Sequence, residues 1–219
     1  MSRRSSQPQG PRLPTETPDA TDLRFEDGLD LSGLALQGDH AGGRGRGMTV
    51  EECRISQASL IGADLARLRL TDVLVEGADF SGADLEEASF TRVEFRDCRM
   101  SGVLLPQARL RDVVFSGCRL DGANLRMGDG ERVLFDGTDL RQAEFSAATF
   151  ASTCFFDCDL EGAEFSQTTM AGARFHRSSL AGMSGAEYLR DVVVDSAQVL
   201  PLALGVFAGL GIRVDDERE

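Results

Sequence analysis

The sequence predicts an all-β solenoid, in which short flat sides are wound into stacked coils. A large apolar residue stands at every fifth position between residues 50 and 180, and a small residue stands two positions before each of them. A period of five fits neither the 3.6-residue turn of a helix nor the two-residue alternation of a strand. It suits coils whose inward side chains come in pairs, one small and one large, because stacked coils then bury a continuous core.

The column of large residues runs from Val50 to Leu180. Of its 27 positions, 26 hold Val, Ile, Leu, Phe or Met, and the exception is Gly130. Since only 42% of the chain is apolar, chance would fill fewer than half of these positions. Gly130 lies within Gly128-Asp129-Gly130, which we expect to form a local bulge or flexible turn, or a feature of a binding surface.

The column of small residues holds Ala, Cys, Val, Thr, Ser or Gly at 25 of 27 positions. Four of the five cysteines fall in it, where a free thiol packs as a small hydrophobe. The number of cysteines is odd and none has Cys-x-x-Cys spacing, which indicates reduced thiols rather than disulfides. The cysteines of the small column are Cys53, Cys98, Cys118 and Cys158.

Typical units read Ala-Asp-Leu-Ala-Arg (63–67) and Ala-Asp-Phe-Ser-Gly (78–82), and they resemble the A(D/N)LXX repeat of the pentapeptide-repeat family. The resemblance covers 48–183 and implies a right-handed quadrilateral β-helix, with four five-residue sides per coil and residues 20 apart in a stack. We name each side by the first large residue of its column. The four are the Val50, Ile55, Leu60 and Leu65 sides.

The chain divides into four segments. We expect a disordered N-terminal tail over 1–19, because Ser, Pro, Gln and Thr dominate it. An N-terminal coil or cap and a Gly-rich loop are expected over 20–47, where leucines keep the five-residue spacing one residue out of phase. The repeat itself covers 48–183, and 184–219 forms a C-terminal segment with a short α-helix.

The C-terminal helix is predicted by the apolar stretch Ser196–Leu210, which ends before Gly211. A helix that is apolar on most sides must be covered. It caps the last coil or pairs with a second chain, and the resemblance to gyrase-protecting family members implies a homodimer. The dimerisation candidates are Val199, Leu200, Leu202, Leu204, Val206, Phe207 and Leu210.

Motifs of catalysis are missing from the sequence. It has no Gly-rich phosphate loop, no HExxH and no GxSxG, and it contains only two histidines. We therefore expect no enzyme activity, no catalytic residue, no cofactor and no metal site. The sequence has no apolar run of 18 residues, and no apolar segment follows the N-terminal arginines, so we expect a soluble, cytoplasmic protein without membrane contact.

Acidic residues outnumber basic ones, 36 to 23, and every basic residue is Arg. The net charge of −13 argues against direct nucleic-acid binding, which relies on basic side chains at phosphates. Sorted by side, the repeat concentrates its acidity on the Leu65 side and the adjoining Leu60 side. A straight rod with carboxylates arrayed along it presents a linear array of negative charge to a basic channel, as DNA does.

The resemblance to gyrase-protecting family members then predicts a DNA mimic. It would bind DNA gyrase or another type II topoisomerase, and would inhibit it or protect it from poisons such as fluoroquinolones. The candidate contact residues are Asp64, Asp79, Asp84, Glu86, Glu87, Asp121, Asp139, Glu144, Asp159, Glu161 and Glu164.

An alternative function is that of a scaffold or adaptor for another protein. The Ile55 side carries outward apolar residues in line, and an exposed apolar stripe is a candidate protein contact. Cover by the N-terminal segment would explain the stripe equally well. The stripe consists of Leu74, Val114, Leu134 and Cys154, with Phe156 next to it.

Overall fold

The computed structural model describes residues 7–20 and 23–213. In this part of the chain, twelve strands form one sheet in which every strand pair is parallel. Between residues 49 and 176 each rung advances the chain by 20 residues, so that Val73 pairs with Val93 and Val93 with Val113. The predicted fold class, a right-handed quadrilateral β-helix with a short C-terminal helix, is confirmed.

The longest strands, β5 to β8, each turn a corner between the Val50 and Ile55 sides. The strands are β1 Asp30–Ser32, β2 Ala35–Asp39, β3 Thr49–Glu51, β4 Arg54–Ser59, β5 Arg69–Glu76, β6 Ser89–Arg96, β7 Arg109–Ser116, β8 Asp129–Asp136, β9 Thr149–Ala151, β10 Cys154–Phe156, β11 Arg174–His176 and β12 Val193–Val194. The helices are two 3-10 turns, Ala186–Tyr188 and Ser196–Gln198, and α1, Val199–Gly209.

Stacked phenylalanine rings form the centre of the core. On the Ile55 side, successive rings from Phe95 to Phe175 lie 4.9, 5.0, 5.1 and 4.7 Å apart between centroids. Adjacent rings deviate from parallel by no more than 8°. These spacings follow the ~4.8 Å separation of neighbouring strands, so the ladder of rings and the ladder of backbone hydrogen bonds share one repeat.

The small column contributes hydrogen-bond donors as well as small volumes. The Sγ of Cys118 lies 3.5 Å from the carbonyl oxygen of Phe95. One coil further, the Thr138 hydroxyl donates to the Phe115 carbonyl at 3.1 Å. The buried thiols therefore support the backbone at this corner, and burial raises the pKa of Cys158 to about 12, which keeps that thiol protonated at neutral pH.

Gly130 lies inside β8 and pairs with Leu110 below it and Phe150 above it, without a shift in register. The expectation of a bulge or turn here is therefore wrong. A Cβ at Gly130 would stand 2.4 Å from Cδ1 of Phe150. The Phe150 ring fills the place that a side chain at position 130 would take, and the glycine is a packing partner of that ring.

Each corner of the coil requires a positive φ, as the line of glycines on the Leu60 side suggests. Gly62 and Gly82 have φ of 61° and 64°. Most positions at the other corners hold non-glycine residues in the same conformation, for example Asp72 at 55° and Arg92 at 53°. This left-handed region costs an ordinary residue about 1–2 kcal/mol, so the coil geometry is imposed by packing and hydrogen bonding against local preference.

The N-terminal coil is one residue shorter than the coil it pairs with, and the register shifts by one residue after Leu36. Leu36 pairs with Ile55, 19 positions away, whereas Gly38 pairs with Ala58, 20 positions away. Residues 37–47, interpreted from the sequence as a loop, lie along this coil, and the Gly45 N–H donates to the Asp64 carbonyl at 2.9 Å. The glycines serve the corners of a coil instead of forming a separate linker.

Both ends of the described part of the chain pack on the rod. The first six residues, part of the predicted disordered tail, lie outside the described residues, and 7–20 run along the outside of the coils. At the other end, Leu202 and Val206 of α1 pack against the core. Within the described residues, no helix combines the length and the apolar composition needed to cross a membrane.

Candidate functional site on the acidic sides of the rod

Predicted contact residues stack in two vertical columns on adjoining sides. On the Leu65 side, Asp64 pairs with Asp84, and Glu144 with Glu164. On the Leu60 side, Asp139 pairs with Asp159. The four-sided coil thus brings carboxylates that are distant in sequence to neighbouring positions one coil apart.

The aspartates of these columns also hold the turns that follow them. Asp79 accepts a hydrogen bond from the N–H of Ser81 at 2.9 Å, and Asp84 accepts one from the N–H of Glu86 at 3.0 Å. This is the backbone role that short acidic side chains commonly take in turns. An aspartate at this position is therefore structural and also presents negative charge to solvent.

Arginines neutralise part of the acidity. Arg46 binds both carboxylate oxygens of Asp64 at 2.8 Å. Arg141 lies 2.6 Å from Asp139 and 3.8 Å from Asp159, and its hydrogen bond holds the pKa of Asp139 below its ordinary value. Among the described residues, no ion pair involves Asp84, Glu86 or Glu87. These three carboxylates are the strongest candidates for contact with a basic partner.

The two acidic columns are interrupted at the same height. On the Leu60 side, Arg99 and Arg119 stand between Asp79 and Asp139. On the Leu65 side, Leu104 and Asn124 stand between Asp84 and Glu144. At ~4.8 Å per coil, Asp84 and Glu144 are ~14 Å apart along the axis.

The acidic residues are therefore divided into two patches along the axis, which we call the first and second acidic patches. Sorting the charges of the sequence by side does not show this division. The one remaining candidate, Asp121, lies between them and accepts a hydrogen bond from Ser101. The first patch comprises Asp64, Asp79, Asp84, Glu86 and Glu87, and the second comprises Asp139, Glu144, Asp159, Glu161 and Glu164.

The predicted dimerisation residues fall into two groups. Leu202 and Val206 face the rod, where Gly205 lets the helix approach Ala186 closely. The others are exposed, with exposed fractions of 68% for Leu200 and 53% for Leu204. The exposed group is Val199, Leu200, Leu204, Phe207 and Leu210.

Side chains that commonly bind metals or transfer protons include His176, which makes a structural contact in the described part of the chain. The described residues contain no cluster of three His, Cys, Asp or Glu side chains that could hold a metal ion. His176 Nδ1 lies 2.7 Å from Asp195 Oδ1, and Asp195 also forms a capping box with Gln198 at the second 3-10 turn. This contact fastens the C-terminal segment to the Ile55 side.

Two family models match the repeat. A family model described as a pentapeptide repeat region matches residues 88–165. A second, for pentapeptide repeats in eight copies, matches 51–92, 69–105 and 158–182. The chain belongs to the pentapeptide-repeat family. Together the two models span 51–182 without a gap, and no curated protein matches the chain.

Solved structures of other pentapeptide-repeat proteins are similar to this one. HetL, from the cyanobacterium Nostoc and involved in heterocyst differentiation regulation, is 19% identical over 79% of this chain and 86% of its own, with a TM-score of 0.46. Full-length QnrB1, a plasmid-mediated fluoroquinolone resistance protein, is 19% identical over 86% of this chain and 100% of its own, with a TM-score of 0.43. A thylakoid-lumen protein of Arabidopsis thaliana is 28% identical over 41% of this chain and 63% of its own, with a TM-score of 0.39.

Proposed function

We propose that this protein is a non-enzymatic DNA mimic that binds DNA gyrase or another type II topoisomerase through its two acidic patches. The observation that carries the proposal is the stacking of carboxylates on two adjoining sides of the rod. Within the described residues, Asp84, Glu86 and Glu87 of the first patch form no ion pair, whereas Asp64, Asp139, Glu144 and Asp159 have arginine partners. The resemblance of the repeat to gyrase-protecting family members supplies the class of partner. In the cell the protein would inhibit the enzyme or protect it from poisons such as fluoroquinolones.

The charge spacing within a patch approaches that of DNA. Two carboxylate columns with one residue each per ~4.8 Å coil give about one negative charge per 2.4 Å of axis. Duplex DNA carries one per about 1.7 Å. A groove that binds DNA through Arg and Lys would therefore meet an array of negative charge on the rod that is sparser than that of DNA. The charge is reduced further where Arg46, Arg126 and Arg141 pair with patch carboxylates, and it is interrupted at the level of Arg99 and Arg119.

Gyrase supercoiling with and without ciprofloxacin tests this function. We expect the protein at micromolar concentration to inhibit supercoiling or to reduce drug-induced DNA cleavage. Neutralising the first patch with Asp84→Asn, Glu86→Gln and Glu87→Gln should weaken the effect about tenfold or more, because close charge pairs contribute strongly to such interfaces. The isosteric changes keep the turn that Asp84 supports.

A matched control changes the net charge by the same amount elsewhere. Asp30, Glu51 and Glu52 are exposed on the N-terminal coils of the Val50 side. Their replacement by Asn, Gln and Gln should leave the effect on gyrase unchanged. If both triple variants weaken it equally, only net charge matters and the patch proposal fails; if the unaltered protein has no effect, the gyrase proposal fails.

We further propose that the protein is a homodimer joined through α1. Exposed apolar residues are concentrated on this helix, and such a patch is typical of an interface. Leu200, Leu204 and Phe207 follow the i, i+4, i+7 spacing of one helical stripe. Two rods joined in this way would double the length of the acidic surface offered to a partner.

The adaptor function is the second candidate, and the Ile55 side favours it. There, Val114, Leu134 and Cys154 point outward and are only half-buried. An apolar stripe of this kind serves no purpose in DNA mimicry. Binding to a protein other than a topoisomerase, together with no effect on supercoiling, would support this function in place of the first.

A further inference from the structure

Residues 7–20 form an extended strap along the outside of the rod. The N–H of Gln9 donates to Asp112 Oδ1 at 3.1 Å, and the N–H of Arg12 donates to Asp72 Oδ1 at 3.0 Å. Further along, the N–H of Ala20 donates to the carbonyl of Ala35 at 2.8 Å. The strap thus descends the coils as its residue number rises, opposite to the direction in which the solenoid is built.

Its two anchoring carboxylates are fixed independently of the strap. Asp72 and Asp112 occupy the corner between the Val50 and Ile55 sides, and 6% and 4% of their surfaces are exposed. Arg92 binds Asp72 through Nε at 2.7 Å and Nη2 at 2.5 Å, and Arg132 binds Asp112 in the same way. Each aspartate is therefore held ionised and in place, with capacity left to accept one backbone N–H.

The prolines of the strap repeat with the period of a polyproline II helix. Three of the strap's four prolines stand at 8, 11 and 14, and a polyproline II helix has three residues per turn. The fourth, Pro18, is out of this period and exposed. The other three are half-buried, whereas Gln9, Gly10 and Arg12 are exposed. Pro8, Pro11 and Pro14 therefore lie toward the rod, together with Leu13, which is also half-buried.

This period matches the spacing of the anchors on the rod. Gln9 and Arg12 are three residues apart, which is ~9.3 Å in a polyproline II helix. Asp72 and Asp112 are two coils apart, which is ~9.6 Å. A polyproline II segment therefore presents an N–H to every second coil of this corner without distortion.

Beside the anchors, the apolar stripe of the Ile55 side gives the strap a surface, and Pro8 lies next to Val114 and Leu134 there. Leu74 points outward, in register with Arg54 and Glu94, yet only 6% of it is exposed. Beyond Pro8 the stripe continues as a groove between described residues. Its lining is Gln7, Pro8, Val114, Leu134, Cys154, Phe156 and Arg174.

We propose that this corner and stripe are a receptor for a Pro-x-x-Pro segment of a partner protein, and that the chain's own strap is the resident ligand. Polyproline II segments bind apolar grooves at low entropic cost, because their conformation is already formed. Within the part of the chain that the structure describes, a groove remains beside Pro8 from Val114 to Phe156. A longer segment gains a first contact there and then replaces the strap at Asp112 and Asp72. This site lies on different sides of the rod from the acidic patches, so it goes beyond the proposed function.

The experiment uses the full-length chain with its strap released. Gln9→Pro and Arg12→Pro together remove both N–H donors, keep the polyproline II preference and leave the rod unchanged. The probe is a fluorescein-labelled peptide with the sequence of residues 7–20. We expect the anisotropy of the probe to show binding to the released chain and binding about tenfold weaker or more to the unaltered chain, where the strap competes.

Matched changes on each partner separate recognition from non-specific contact. In the released chain, Asp72→Gly and Asp112→Gly remove the acceptors and suit the positive φ of 55° and 56° at these corners. They should weaken probe binding about tenfold or more. Two altered probes should also bind the released chain more weakly. One carries proline at positions 9 and 12, and the other carries alanine at positions 8, 11 and 14. Circular dichroism checks that the coil persists.

The proposal is overturned if the released chain does not bind the probe. It is also overturned if the glycine variants, or the probe with alanines, bind as well as their parents. If the released chain binds a second copy of itself in place of the probe, the groove is a self-association site, and this too overturns the proposal. Supercoiling by gyrase reports separately on the acidic patches.

Discussion

At the scale of single residues, the contact between Gly130 and Phe150 gives the sharpest prediction. The Cβ introduced by Gly130→Ala would lie 2.4 Å from Cδ1 of Phe150 and 2.7 Å from Cε1, against a fully buried ring. Overpacking of this kind costs about 1–3 kcal/mol. We expect urea denaturation to show a loss of that size in the free energy of unfolding.

A double-mutant cycle identifies the cause. Phe150→Leu removes part of the ring, so Gly130→Ala should cost less in that background than in the unaltered chain. Equal costs in the two backgrounds would mean that the clash is not with Phe150. The sequence marks Gly130 as a gap in the column, but only the stacking of residues 20 apart shows which neighbour fills it.

The small column shows a second limit of sequence reading at this scale. Its small volumes follow directly from the five-residue period, and every cysteine in it is buried as expected. The hydrogen bonds of Cys118 and Thr138 to carbonyls 23 residues earlier were not predicted. By size alone, Ala, Cys and Thr are equivalent in this column. They differ at a corner where a backbone carbonyl can accept a hydrogen bond, because Cys and Thr have a side-chain donor and Ala has none.

At the scale of secondary-structure elements, the corner between the Val50 and Ile55 sides should make stability depend on pH. Hydrogen bonds from Arg92 and Arg132 hold the pKa values of Asp72 and Asp112 below their ordinary value of 3.8. A lowered native pKa stabilises the fold above the unfolded value, and this stability is lost as pH falls through the native value. We expect the melting temperature to drop steeply below pH 3.8.

The control removes the titrating groups and keeps their shape. Asp72→Asn with Asp112→Asn should cost about 1–3 kcal/mol for each site at neutral pH, because a charged hydrogen-bond partner is lost. As pH falls, the melting temperatures of the variant and the unaltered chain should converge. A constant difference at every pH would show that these carboxylates do not titrate with folding.

The strap is the element that sequence reasoning could not place. Its Pro, Gln and Thr content is typical of disordered segments, because such residues cannot build a core of their own. Its contacts are with residues 60 and 103 positions away, on a surface that exists only after the coil has formed. The sequence of the strap shows the spacing of its prolines. It does not show that Asp72 and Asp112, which bind the strap, lie at a matching distance on the rod.

At the scale of the whole molecule, counting charges in the sequence predicts which sides of the coil are acidic. It does not show at which coils along the axis the acidic residues lie. The predicted columns on the Leu60 and Leu65 sides are present, since a strict 20-residue register fixes them. Their interruption at Arg99, Arg119 and Leu104 becomes visible only when the charges are ordered coil by coil. A partner with a continuous basic groove would meet two separate contacts on each rod.

The last prediction concerns assembly. If α1 joins two rods, Leu204→Glu with Phe207→Glu should give a monomer of 23.6 kDa by light scattering, because charges would face each other across an apolar interface. The unaltered chain should have twice this mass. Ile61→Glu is a suitable control, since Ile61 is 47% exposed and lies on the rod far from α1. This variant should remain dimeric, and a monomeric unaltered chain at tens of micromolar would contradict the proposed dimer.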